Sequence, residues 1–90
     1  MLFKVLGMPK KIEWTDQARS DLRSIDQLTA LRILHSIARY RTTNEGDVKR
    51  LQGKEPLQLR LRVGDYRVRF FDLEESILVL AVKHRGEAYR

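Results

Sequence analysis

The stretch Leu57-Gln58-Leu59-Arg60-Leu61-Arg62-Val63-Gly64-Asp65-Tyr66-Arg67-Val68-Arg69-Phe70 decides the fold. Leu57, Leu59 and Leu61 alternate with Gln58, Arg60 and Arg62, and Tyr66, Val68 and Phe70 alternate with Arg67, Arg69 and Phe71. A period of two marks a strand with one buried face. Gly64-Asp65 between the two runs is turn chemistry. The acidic turn Asp72-Leu73-Glu74-Glu75-Ser76 then leads into Ile77-Leu78-Val79-Leu80-Ala81-Val82. That last run is apolar on both faces, as expected of an inner strand covered on both sides. The C-terminal half therefore reads as an antiparallel meander of three strands, with the chain from Leu57 onward supplying all of them.

Upstream the period lengthens. Lys11-Ile12-Glu13-Trp14 alternates polar and apolar residues and predicts a short strand. Thr15 supplies an N-cap hydroxyl, and Asp16 puts a carboxylate at the positive end of the helix that follows. Ala18, Leu22 and Ile25 form its apolar stripe. The pattern restarts at Asp26 or Thr29 and runs on through Leu31, Leu34, Ile37 and Ala38, with the stem of Arg41 extending it and Ala30 and Ile33 widening it. Two amphipathic helices with a short joint predict a helical hairpin or bent pair. The segment Thr42-Thr43-Asn44-Glu45-Gly46-Asp47 reads as a loop. The fold class is α+β: an N-terminal strand, a two-helix hairpin, then the meander, with the helices on one face of the sheet.

The chain has 90 residues, enough for one small domain with a single core. Residues 10–90 are expected to form it, with 1–9 an extension; Met8 is an alternative start. The apolar run Met1-Leu2-Phe3-Lys4-Val5-Leu6 is too short for a membrane span, and no membrane partner is expected. Cysteine is absent, which removes disulfides and thiolate metal sites and fits a reducing, cytoplasmic location. The two histidines, His35 and His84, lie far apart, and no HxxxH or carboxylate cluster stands at ligand spacing, so neither metal nor cofactor is expected. His35 sits within a helix and reads as a surface or boundary residue.

Eighteen Lys and Arg against twelve Asp and Glu give a formal net charge of +6. The excess points to a polyanionic partner or to a basic but inert surface, and the placement of the charges decides between them. If the leucines face the helices, Arg60 and Arg62 point to the other face, and Arg67 and Arg69 join them from the next strand. Like charges on paired strands repel, so a face of arginines alone calls for an anion, and guanidinium forks match phosphate oxygens. Lys83-His84-Arg85-Gly86-Glu87-Ala88-Tyr89 adds groups suited to phosphodiester cleavage. Arginines can stabilise charge on phosphorus, and lysine, histidine or tyrosine can move protons. His84 is equally well a packing or capping histidine at a strand end.

Three segments together resemble the RelE/ParE toxins: Gly46-Asp47-Val48-Lys49-Arg50-Leu51-Gln52-Gly53, Leu59 through Phe70, and Val82 through Tyr89. The resemblance runs from about Lys10 to Arg90. It implies a toxin of a type II toxin-antitoxin system, neutralised by a cognate antitoxin that is acidic and partly disordered. RelE-like members cleave mRNA in the ribosomal A site without metal and leave a 2′,3′-cyclic phosphate. By that resemblance Arg67 stabilises the scissile phosphate, and Tyr89 stacks on a base or assists proton transfer. Lys83 and Arg85 form a basic pair, and Arg60 takes part in proton transfer or phosphate binding. Arg62, Arg69, Lys54, Lys49, Arg50 and His84 are then the expected RNA contacts. Gln52 and Gln58 stand where the family often carries cations. The alternative is a ParE-like toxin that binds DNA gyrase and catalyses nothing; the tight helical half and the terminal tyrosine favour the ribosome and mRNA as targets.

Overall fold

The computed structural model describes residues 10–53 and 55–88. Strand β1 (Lys11–Trp14) leads into helices α1 (Asp16–Arg23) and α2 (Gln27–Thr43). Strands β2 (Asp47–Leu51), β3 (Gln58–Val63), β4 (Tyr66–Asp72) and β5 (Ser76–His84) follow, and a short α3 (Arg85–Ala88) ends the described chain. The five strands form one sheet in the order β1-β5-β4-β3-β2. β1 pairs parallel to β5, and every other pair is antiparallel. The α+β class is as the sequence predicts, but the meander has four strands and not three.

The added strand is β2, which begins on Asp47, a residue the sequence reading assigns to a loop. Helix α2 also runs further than expected and includes Thr42 and Thr43. It stops at Asn44, which adopts a left-handed φ of 61° as its C-cap. Gly46 then turns the chain into β2 at φ 152°, where a Cβ would come within 2.9 Å of the Leu61 side chain. Only glycine fits that approach, so the start of β2 is fixed against the core. Gly64, at φ 58°, opens the two-residue Gly64-Asp65 hairpin between β3 and β4.

The core lies between the helices and one face of the sheet. Ala18, Ile33, Ile37 and Tyr40 from the helices meet Leu59, Leu61, Val68, Phe70, Ile77, Val79 and Val82 from the strands. The buried stripe of α2 is thus Ile33, Ile37 and Tyr40; Leu31, expected in it, is 46% exposed. Both helix starts are capped. Thr15 accepts the Ala18 N–H, and the Asp26 carboxylate accepts the Thr29 N–H.

Tyr40 meets Phe70 edge-on with centroids 5.2 Å apart, and its hydroxyl donates to Asp72 at 3.0 Å. Lys10 holds the other oxygen of that carboxylate. Burial, together with the hydrogen bond to Asp72 and its negative charge, pushes the Tyr40 hydroxyl up to about 12. A raised folded value means that the neutral tyrosine stabilises the fold. This contribution is complete below about pH 10 and is lost as pH rises toward the folded value. Tyr40→Phe is therefore expected to cost about 1 kcal/mol at neutral pH in urea unfolding, and the deficit should shrink in melts above pH 10.

Candidate phosphate-binding site

The strand registers place the cations. Lys49 on β2 stands opposite Arg60 on β3, which stands opposite Arg69 on β4. In the neighbouring row Asp47 faces Arg62, Arg62 faces Arg67, and Arg67 faces Lys83 on β5. The face opposite the helices therefore carries two adjacent rows with six cations and one carboxylate. Directly opposed like charges work against pairing, so this arrangement is maintained at some cost to the sheet.

Lys83 reaches that face through an irregularity. Simple alternation along β5 would put Ala81 and Lys83 on the side of Ile77 and Val79, toward the helices. The pairing shifts between Arg69 and Phe70, so that Arg69 faces Ala81 while Phe70 faces Val79. The extra residue on β5, Leu80, reverses the alternation, as β-bulges do. It leaves Val82 in the core and sets Lys83 beside Arg67.

Arg67 is the cation most enclosed by the fold, 8% exposed. Its Nη1 donates to the carbonyls of Gly64 at 3.2 Å and Tyr66 at 3.1 Å. The β3–β4 turn thus holds the guanidinium in place. Both bonds use Nη1, so the fork's Nε and Nη2 hydrogens remain for an oxyanion. Asp47, Lys49, Arg60, Arg62 and Arg67 surround a depression of about 90 Å³. Arg69 stands just outside this lining and donates to Gln58 Oε1 at 3.3 Å. Gln58, noted in the sequence as a lost cation, therefore orients a neighbouring one.

Other expected contacts lie elsewhere. Arg50 pairs with the core-facing Leu59 and so projects on the helix side of the sheet, away from the arginine rows. His84 pairs with Tyr66 and meets its ring edge-on at 5.4 Å, and its Nδ1 accepts the Gly86 N–H at 3.3 Å. These contacts are those of a histidine that packs on Tyr66 and caps the strand end. Arg85 is exposed at the first position of α3, its backbone N–H bonded to the Asp65 carbonyl at 2.7 Å. Tyr89 and Lys54 lie outside the described residues, as does the extension 1–9.

Lys83 is placed on the basic face but is already engaged. Its ammonium lies 3.0 Å from Asp21 Oδ1, on α1. The other Asp21 oxygen accepts the Val82 N–H at 2.9 Å, and Gln17 donates to Oδ1 at 2.8 Å. This arrangement completes the edge of β5 beyond the end of β1. Where β1 stops, the Thr15 N–H donates to the Val79 carbonyl, the Thr15 hydroxyl donates to the Leu80 carbonyl, and Asp21 receives the next N–H. Burial pushes the Asp21 carboxyl upward, but the bonds from Val82, Lys83 and Gln17 outweigh it and hold it below the ordinary aspartate value.

Sequence reading missed Asp21 and Asp47. Asp21 lies one residue before Leu22 in the helical stripe, and only tertiary contact reveals its acceptor role. Asp47 had little signal: in Asp47-Val48-Lys49-Arg50-Leu51 Val48 turns inward, but Arg50 shares its side and Leu51 stands three residues on, so the run does not alternate. Among the described residues there is no cluster of three or more histidines, cysteines or carboxylates able to hold a metal, and no helix is long and apolar enough to cross a membrane.

Comparison with known proteins finds relatives of this fold. The structure is similar to the archaeal RelE-RelB complex from Pyrococcus horikoshii, with 26% identity over 88% of this chain and 98% of that one and a TM-score of 0.73. It is similar in fold to the RelB-RelE antitoxin-toxin complex from Methanococcus jannaschii, with 23% identity over 86% of this chain and 94% of that one and a TM-score of 0.71. The fold is shared more distantly with the chromosomal ParDE system of Pseudomonas aeruginosa, with 15% identity over 83% of this chain and 95% of that one and a TM-score of 0.55. A search of curated proteins finds no match. The family model described as the ParE toxin of the type II toxin-antitoxin system, parDE, matches residues 12–89. With its sheet, its helical pair and nearly its whole length accounted for, the chain belongs to this toxin family, within the RelE/ParE superfamily.

Proposed function

We propose that this toxin is a ribosome-dependent endoribonuclease that cuts messenger RNA in the A site and so stops translation. The observation that carries the reading is the depression lined by Lys49, Arg60, Arg62 and Arg67, with Arg67 oriented by the turn beside it. Cleavage needs the 2′-oxygen to lose its proton and attack phosphorus, the bond to the 5′-oxygen to break, and that oxygen to gain a proton. A 2′,3′-cyclic phosphate remains. The crowded phosphorus centre gathers negative charge on the way, and preorganised guanidinium donors stabilise it. The ribosome would present the RNA in a reactive geometry, so the protein need supply only a few such groups. The likeness to the P. horikoshii RelE structure, at 26% identity, supports this reading.

A second reading is a non-catalytic toxin that binds DNA gyrase. It is favoured by the description of the matching family model and by the engagement of Lys83 with Asp21, which occupies an amine that could carry protons. Parallel assays separate the two. A translating extract should stall and a gyrase supercoiling reaction should proceed unaffected; the reverse pattern would establish the gyrase reading.

Under either reading a cognate antitoxin is expected. An acidic, partly disordered segment that orders on binding suits the exposed and half-exposed Lys49, Arg60, Arg62 and Arg69. RNA affinity should depend steeply on salt. Lys49→Ala and Arg62→Ala are each expected to weaken RNA binding uniformly across sequences, and to lower the slope of log affinity against log salt by roughly 0.7 per lost phosphate contact. Titrations at several salt concentrations check this.

A further inference from the structure

We infer that Asp47 is the proton acceptor for the attacking 2′-hydroxyl, an inference that rests on the endoribonuclease reading. The depression is lined by one carboxylate and four cations. Guanidinium groups do not give up protons at physiological pH, so Arg60, Arg62 and Arg67 cannot act as bases there. Lys49 is an ammonium and would first have to lose a proton. Lys83, the other amine on this face, donates to Asp21 at 3.0 Å. His84 lies on the far side of the sheet, with its Nδ1 accepting the Gly86 N–H. Among the described lining residues, the group that accepts a proton without prior ionisation is the Asp47 carboxylate.

The position of Asp47 is built, not incidental. Gly46 fixes the entry to β2 by its close approach to Leu61, so Asp47 is the first residue of the strand and is held in register with Arg62. Arg62 in turn faces Arg67. Asp47 and Arg67 are thus two strands apart in one row, about 10 Å between backbones at the usual strand spacing. Their side chains meet the same depression from opposite sides. A phosphate held by Arg67 at one wall would leave its ribose toward the other. There the carboxylate takes the 2′-hydroxyl proton as the 2′-oxygen bonds to phosphorus. The bond to the 5′-oxygen breaks, and the departing oxygen takes a proton from water. The proton on Asp47 then passes to solvent and restores the carboxylate.

Asp47 could instead only soften the repulsion among its cationic neighbours, and the two roles differ in what they predict for binding. Asp47→Asn removes the base and also one negative charge from a site for anions. If Asp47 is the base, single-turnover cleavage of mRNA on programmed ribosomes falls by at least about 100-fold, while RNA binding is unchanged or tighter. Asp47→Glu, which keeps a carboxylate, should cleave at least tenfold faster than the asparagine variant. Cleavage by Asp47→Asn within about threefold of the parent would overturn the assignment and leave the nuclease reading standing. So would a loss of RNA binding that matches the loss of cleavage. A parent protein that does not cut RNA on ribosomes would remove the reading itself, and the inference with it.

Discussion

Arg67→Ala should lower mRNA cleavage on programmed ribosomes by about 100- to 1000-fold, the usual effect of removing one preorganised donor from a site that stabilises transition-state charge. Under the nuclease reading, three features of its surroundings place the largest expected effect at Arg67. It is the most enclosed of the cations on its face, it is oriented by the carbonyls of Gly64 and Tyr66, and it stands between Arg62 and Lys83 in the cross-strand row. A buried, pre-positioned guanidinium meets a phosphate with little reorganisation. Arg67→Lys keeps the charge but lacks the planar fork, so it should recover only a small part of the rate. The alanine variant gives up two hydrogen bonds and relieves the repulsion from Arg62. Its thermal midpoint should therefore stay close to the parent's, which separates lost chemistry from lost folding. Parent-like cleavage by Arg67→Ala would remove this residue from the site.

The largest expected effect on stability belongs to Asp21. Asp21→Ala leaves the Val82 N–H without its acceptor and the Lys83 ammonium without its partner, at the point where α1 replaces a strand along β5. Stranding the buried Val82 N–H and unpairing the partly exposed Lys83 ammonium together cost about 3 kcal/mol. For a domain of this size that is a fall of roughly 12 to 24 °C in Tm. The same carboxylate sets a pH dependence. Its folded value is depressed, so its contribution is complete above the ordinary aspartate value and is lost as pH falls through the lower folded value. The parent should lose stability below about pH 4, and Asp21→Asn should show a shallower acid limb in denaturant melts across that range. An alanine variant that melts with the parent would mean that water replaces the carboxylate at no cost.

The strands that the sequence revealed are those with strict alternation. Leu59-Arg60-Leu61-Arg62 and Tyr66-Arg67-Val68-Arg69 announce their faces because one set of side chains must leave water and the other must stay in it. The arginine face was legible for that reason. β2 was harder to see: it lies at the sheet edge, only Val48 and Leu51 mark its apolar positions, and Gly46-Asp47 imitates a loop. Leu31 was misplaced because α2 carries apolar residues over more than one face, and the choice among them falls to the sheet; Ile33 and Ile37 won that position and left Leu28 and Leu31 exposed. The place of Lys83 could not be derived from period alone, because the bulge at Leu80 reverses the alternation and is a property of the β4–β5 pairing. The Asp21 contacts cross 61 and 62 residues of chain, a separation at which local pattern carries no information.

Ribosome-dependent cleavage is read most directly by mapping 5′ ends by primer extension after adding the purified toxin to ribosomes programmed with a defined mRNA. Cuts within the A-site codon are expected, absent on naked RNA and lost with Arg67→Ala. Intact mRNA in the presence of toxin that still arrests growth would contradict the nuclease reading, and the two arginine rows would then be a binding surface without chemistry.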